Sequence, residues 1–257
     1  MAKKKLGQHF LRNKEILQRI VNVAEIEPQD KVVEIGAGMG DLTALLIEQA
    51  REVIAIEIDP ALFRILKERF RQRQNLKLFN QDALKFPYEE IGQFKVVANI
   101  PYYITKPIIF RLIEVRNLIS MTLTVQKEVA QRFIAVPGSK AYSALSIIVQ
   151  YYTTAEIKFY IPAKFFSPPP EVESAVIKIQ RRTEPAVKVA DEKIFFKIVK
   201  SAFGQRRKMI ANSLKSVVDE PKEFLNKIGI NPLKRAEELS IEDFAYITNE
   251  LCKFCKK

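Results

Sequence analysis

The 257 residues contain no tryptophan, one histidine (His9) and two cysteines (Cys252 and Cys255). Two cysteines cannot build a disulfide scaffold. A Ser-His-Asp or Cys-His hydrolase would have His9 as its only possible base. A zinc site would have to bring His9 to the cysteines at the far end of the chain. Cys252-Lys-Phe-Cys255 has redox or metal spacing but stands without a second ligand pair on a helical pattern. It therefore reads as packing, and no metal is expected. Long apolar runs are missing as well: none approaches the roughly 18 residues that cross a bilayer. Lys3, Lys4 and Lys5 are not followed by the apolar core of a secretory signal. The expectation is a cytoplasmic protein with no membrane partner.

What the chain does have in excess is positive charge. It carries 42 Lys+Arg against 30 Asp+Glu, a net +12. Such a surface attracts polyanions, and nucleic acid is the favoured partner. At about 150 residues per domain the length suggests one to two domains.

Residues 31 to 125 read as alternating strands and helices, with strands at 31–35, 53–59, 76–79, 95–99 and 121–125. Pro60 is placed to open a helix running to about Arg73. This alternation predicts an α/β fold with a parallel sheet, whose ligand sits at the carboxyl ends of the strands. Two more strands are expected at about 151–161 and 174–181, separated by the stiff Ser167-Pro-Pro-Pro170 loop. Arg181 to Ala186 reads as a linker, and beyond it residues 191–218 and 221–251 look helical. The expected domains are 1–185 and a helical 186–257.

Glu34-Ile-Gly-Ala-Gly-Met-Gly-Asp41 joins the first of these strands to a helix. Gly36, Gly38 and Gly40 permit a tight turn and close approach of backbone to a ligand. A dinucleotide pattern would require its third glycine at position 41, which is Asp41, a carboxylate that a pyrophosphate would disfavour. This argues against a nicotinamide-dependent oxidoreductase. Glu57, at the end of the second strand, can accept from ribose hydroxyls. Asp82, after the third, can accept from an exocyclic amine. Three such features at successive strand ends describe an adenosine cofactor without phosphates, S-adenosylmethionine.

Asn99-Ile-Pro-Tyr102 ends the next strand. An adenine amino group is a poor nucleophile because its lone pair is delocalised into the ring. The Asn99 side-chain carbonyl and the Ile100 backbone carbonyl can accept its two N–H groups and favour localisation of that pair. Pro101 fixes the turn without adding a donor, and Tyr102 offers a flat face to a flipped base.

Together with Gly7-Gln-His-Phe-Leu11, Gln126-Lys-Glu-Val129, Pro137-Gly-Ser-Lys140, Phe166-Ser-Pro-Pro-Pro170 and Phe203-Gly-Gln-Arg-Arg-Lys208, these motifs resemble the KsgA-type ribosomal RNA adenine dimethyltransferases over essentially the whole chain. The resemblance implies a class I (Rossmann-like) methyltransferase sheet with a small all-helical C-terminal domain. It implies transfer of two methyls from S-adenosylmethionine to N6 of each of two adjacent adenines, in a hairpin loop near the 3′ end of small-subunit rRNA. A role in assembly of the small subunit accompanies this, with the enzyme acting as a monomer. It places His9, Leu11, Gly36, Gly38, Glu57, Asp82 and Asn99 at the cofactor. It places Phe166 beside the target base, where the reading of the turn above already puts Asn99, Pro101 and Tyr102. Relatives that methylate large-subunit rRNA and confer macrolide resistance share the cofactor half, and a non-catalytic assembly factor on the same fold is the other alternative. The segment Phe203 to Lys208, followed by Asn212-Ser-Leu214, resembles the small-subunit enzymes.

Residues 193 to 215, read as one helix, put Lys193, Lys197, Lys200, Arg207, Lys208 and Lys215 within a stripe of about 100°. This predicts RNA phosphate contact, and Arg206, Arg207 and Lys208, which partly join the stripe, are expected to meet rRNA phosphates remote from the target adenines. The basic residues of 61–73 read as solvated surface or RNA contact.

Overall fold

A computed structural model describes residues 9–205 and 208–254. In chain order the elements are β1 (Phe10–Leu11), α1 (Lys14–Ala24), β2 (Lys31–Ile35), α2 (Asp41–Leu46), β3 (Glu52–Ile56), α3 (Pro60–Arg69), β4 (Leu76–Phe79), β5 (Phe94–Asn99), α4 (Thr105–Ile113), β6 (Leu118–Gln126), α5 (Lys127–Phe133), α6 (Ala144–Tyr152), β7 (Thr153–Ile161), β8 (Phe166–Ser167), β9 (Ser174–Arg181), α7 (Glu192–Gly204), α8 (Ile210–Ser213), α9 (Pro221–Lys227) and α10 (Ile241–Phe254).

Seven strands form one sheet in the order β4-β3-β2-β5-β6-β9-β7. The ladders from β4 through β6 are parallel, as alternating strands and helices require. β9 runs antiparallel to β6, Gln126 facing Ser174. The glycine-turn strand β2 therefore has β3 and β5 as neighbours, and Glu57 after β3, Asp82 after β4 and Asn99 at the end of β5 arrive at one sheet edge.

The helix α1 shows how the sheet is covered. The Asn13 side chain accepts from the Ile16 amide at 2.9 Å and starts the helix. Ile16, Leu17, Ile20, Val21 and Ala24 share one face and are buried with Val32, Val53, Val97 and Val176 of the sheet. The other end is held by a buried lysine. Lys178 Nζ donates to the carbonyls of Val23 and Ala24 at 2.9 and 2.8 Å, satisfying acceptors that a helix terminus leaves open. Burial lowers the pKa of this ammonium.

The chain forms two compact units, Met1–Ala130 with Thr154–Arg181, and Gln131–Thr153 with Arg182–Lys257. Position 185 lies close to the last passage between them, but residues 131–153 belong with the C-terminal helices. The reason is apolar: Tyr142, Ile147 and Tyr151 pack with Phe195, Ile198 and Phe203 in the second unit's core. Tyr151 and Phe195 stand with ring centroids 5.0 Å apart. The expected linker is also part of that unit, since the Arg182 and Ala186 amides donate to the carbonyls of Tyr152 and Tyr151 at 2.9 Å.

The expected long helices are corrected. The first stops at Gly204, and α8 begins only at Ile210. Glycine weakens a helix interior, and the Ile210 amide is taken by the Lys234 carbonyl at 2.7 Å. The second divides into α9 and α10. A single basic stripe over 193–215 therefore does not form: Lys193, Lys197 and Lys200 lie on α7, Lys208 and Lys215 beyond it. The strand expected from 151 starts at Thr153, because α6 runs through Tyr152, and α3 ends at Arg69 rather than 73. Among the described residues no helix is long and apolar enough to cross a membrane.

Candidate active site

The turn after β2 is built on left-handed glycines. Gly38 has φ +59, and its amide donates to Glu57 Oε2 at 2.8 Å. Gly40 has φ +85, and a Cβ there would fall 2.6 Å from the Phe70 ring. A non-glycine residue would meet backbone strain at both positions and a clash at the second. The turn is clamped from outside by Arg69, which donates to the Met39 carbonyl at 2.5 Å and to Asp41 Oδ1 at 2.8 Å. Asp41 therefore has a cation beside it, and the repulsion of a pyrophosphate expected from it is offset. Arg71 and Arg73 pair with Glu68 and Glu48. The surface reading of 61–73 thus fits Arg71 and Arg73, while Arg69 serves the turn.

Glu57 is 2% exposed. Its Oε2 takes the Gly38 amide and its Oε1 the Asp59 amide at 2.9 Å. A carboxylate offers roughly four acceptor sites, so capacity remains. Burial raises its pKa, while these amides pull it back down. Asp82 caps a short helical turn through the Leu84 amide at 2.9 Å, so its second oxygen is spare. Beneath the turn, Thr43 donates to the buried Glu34 Oε2 at 2.5 Å. Burial, with Glu57 and Asp41 nearby, pushes the Glu34 carboxyl up to about 8.

Beyond β5, Pro101 holds φ at −55 and leads into a short turn that begins with Tyr102. The Tyr102 hydroxyl and Ser174 Oγ share a hydrogen bond of 2.7 Å. A strap closes the site from the N-terminal side, where β1 pairs antiparallel with β8, Leu11 opposite Phe166. His9 Nδ1 lies 2.7 Å from the Pro168 carbonyl. The His9 ring stands 5.5 Å from that of Tyr102, and the His9 carbonyl accepts from Asn99 Nδ2 at 3.2 Å.

These parts enclose one pocket of about 210 Å³. His9, Leu11, Gly36, Gly38, Glu57, Asp82, Asn99, Pro101, Tyr102 and Phe166 all line it, so the ten residues expected there meet at one place. The sequence reading missed Phe10, Ile58 and Tyr103 of the same wall. Ile58 and Tyr103 adjoin Glu57 and Tyr102 in sequence and are 45% and 54% exposed. Their position beside motif residues was the available signal. Nothing local announced the Arg69 clamp. Lys208 lies in the second unit, where it lines a polar cavity with Asn212, Lys215 and Ser216. Arg206, Arg207 and Cys255 lie outside the described residues. Cys252 is buried on α10.

The family described as "Ribosomal RNA adenine dimethylase" matches residues 1–253. The chain belongs to the ribosomal RNA adenine dimethylases. A small-subunit rRNA methyltransferase A of Caldanaerobacter subterraneus subsp. tengcongensis is 43% identical, covering 100% of this chain and 99% of its own. Its counterpart in Listeria monocytogenes is 44% identical, covering 100% and 93%. Among solved structures, a dimethyladenosine transferase from Plasmodium falciparum superposes with a TM-score of 0.82 at 29% identity, covering 96% and 98%. The 23S rRNA methyltransferase ErmE superposes with a TM-score of 0.74 at 27% identity, covering 95% and 99%. The fold is that of the Rossmann-like rRNA methyltransferases. As a ribosomal RNA adenine dimethylase the protein is an enzyme, and its methyl donor is S-adenosylmethionine. The residues present fit that donor: a buried carboxylate with unfilled acceptor sites beside a glycine turn, and a spare Asp82 oxygen one strand further on.

Proposed function

We propose that the chain dimethylates N6 of two adjacent adenines in the 3′-terminal hairpin loop of small-subunit rRNA, as a cytoplasmic monomer acting on an assembling subunit. The observation that carries this reading is the meeting of Asn99, Pro101 and Tyr102 with Glu57 and Asp82 in one pocket. The identity to small-subunit enzymes, at 43–44% against 27% for the large-subunit enzyme, supports the choice of rRNA.

S-adenosylmethionine supplies, when bound, a methyl group on a positively charged sulfur. Glu57 accepts from the ribose hydroxyls, and Asp82 accepts from the adenine amino group of the cofactor. Gly36 and Gly38 let the backbone approach, while His9 and Leu11 close the pocket from the strap. Asn99 Oδ1 and the Ile100 carbonyl accept the two N–H groups of the target amine, which favours a localised lone pair. Tyr102 stacks on the flipped base, and Phe166 packs beside it. The amine gives up its proton after alkylation, when it has become acidic, so positioning and electrostatics carry the catalysis. The helical C-terminal unit binds rRNA through Arg206, Arg207 and Lys208.

The test is incubation of undermethylated small subunits with labelled methyl donor, followed by mapping of the modified bases. Label on two adjacent adenines near the 3′ end of small-subunit rRNA supports the reading. Label confined to large-subunit rRNA, or none, overturns it.

A further inference from the structure

The antiparallel β9 brings its first residue, not its last, to the edge where the parallel strands end. That residue is Ser174, fully buried and in register with Gln126 at the end of β6. Its neighbour holds it there: the Lys127 amide donates to the Glu173 carbonyl at 3.0 Å, and Lys127 Nζ meets Glu173 Oε2 at 2.7 Å. Ser174 Oγ is 2.7 Å from the Tyr102 hydroxyl. The Tyr102 ring is thus fixed at both ends, at its Cα by the turn after Pro101 and at its phenol oxygen by Ser174. A ring held only at Cα keeps two free side-chain torsions; anchoring the para oxygen removes the tilting between them.

We propose that Ser174 is a positioning residue for methyl transfer, holding the Tyr102 ring in the plane that receives the target base. This rests on the reading of Tyr102 as the stacking face. Ser174 is not among the residues that line the pocket. Its effect passes through the ring, which a loose tyrosine would present in several tilts, of which one suits the attacking amine.

The experiment compares Ser174→Ala, Tyr102→Phe, the double variant and Tyr102→Ala by single-turnover methylation of small subunits. Binding of S-adenosylhomocysteine and thermal melting are followed alongside. Ser174→Ala and Tyr102→Phe each lose the same neutral hydrogen bond, so each should lower the rate about three- to tenfold. Cofactor affinity and subunit affinity should not change. The double variant should be no slower than either single variant, because one interaction is removed only once. RNA carrying 2-aminopurine at the target position adds a spectroscopic readout. Its stacking-dependent quenching should be partial in Ser174→Ala and absent in Tyr102→Ala. A full wild-type rate in Ser174→Ala overturns the proposal, as does a double variant whose loss is the product of the two. A near wild-type rate in Tyr102→Ala defeats instead the reading of Tyr102 on which it rests. If Ser174→Ala fails to fold, Tyr102→Phe decides: unchanged quenching and rate in that variant overturn the proposal.

Discussion

The Asn99 side-chain amide donates to the backbone carbonyl of His9 at 3.2 Å. The bond crosses from the sheet edge to the N-terminal strap and fixes which end of the amide faces the pocket. With Nδ2 engaged, Oδ1 is the end left to accept from an amine. What position 9 contributes to this is main chain, which any residue supplies.

Asn99→Ala should slow methylation about hundredfold, the scale set by losing one preorganised hydrogen-bond partner at a reacting group. Affinity for the small subunit should move far less, because the side chain acts mainly on the reacting amine. His9→Ala, which keeps the carbonyl, should lose much less rate than Asn99→Ala. Single-turnover rates with parallel subunit-binding measurements check both expectations. Equal losses in the two variants would assign the work to the imidazole.

Glu57→Ala should weaken S-adenosylhomocysteine binding by about 1.5–3 kcal/mol, the range for charge-assisted hydrogen bonds. The same carboxylate holds the Gly38 amide, so Glu57→Gln, which keeps one acceptor oxygen, should bind better than the Ala variant. Calorimetric titration of the three proteins measures this. Unchanged affinity in the Ala variant would remove Glu57 from the cofactor site.

Glu34 titrates near 8 in the folded chain against an ordinary 4.5, with burial the largest cause. Between those pH values the folded state binds more protons than the unfolded one. This group's contribution to stability therefore falls as pH rises through the window, by up to about 1.4 kcal/mol per pH unit. Below the lower value it makes no difference. Glu34→Gln, which cannot ionise, should lack that decline. Melting temperatures at intervals from pH 5 to pH 8 would show the two proteins diverging upward in pH, and parallel curves would refute it.

Neutralising Arg206, Arg207 and Lys208 together should weaken binding to the small subunit and flatten its salt dependence. Each lost phosphate contact should lower the log–log slope by about 0.7 to 0.9. Cofactor affinity should stay the same, because Glu57 and the glycine turn belong to the other unit. Binding at several salt concentrations tests this, and an unchanged slope assigns the three charges to solvent.

The parallel half of the sheet was legible because buried strands such as Val53 to Ile56 announce themselves as apolar runs closed by turn residues. The site was legible where motif residues end those strands, as at Glu57, Asp82 and Asn99. Less visible were partners joined only in space. Arg69 reaches Met39 and Asp41 from a helix that reads as solvated surface. Ser174 reaches Tyr102 across 72 positions of sequence. The C-terminal helices misled for a local reason. Apolar periodicity continues past Gly204, while the break depends on a backbone pairing with Lys234 that periodicity does not encode.

Because residues 131–153 are grouped with the C-terminal helices, the chain passes between its two units at three junctions, not one. A cut after Arg181 would leave α6 on the N-terminal fragment with Ile147 and Tyr151 stripped of Phe195 and Ile198. Such a fragment would expose apolar surface and invite aggregation. The helical unit is therefore not a cassette that a single crossover could graft onto a relative's catalytic half. Recombination that alters which RNA is met would have to carry an internal segment of the chain along with its end.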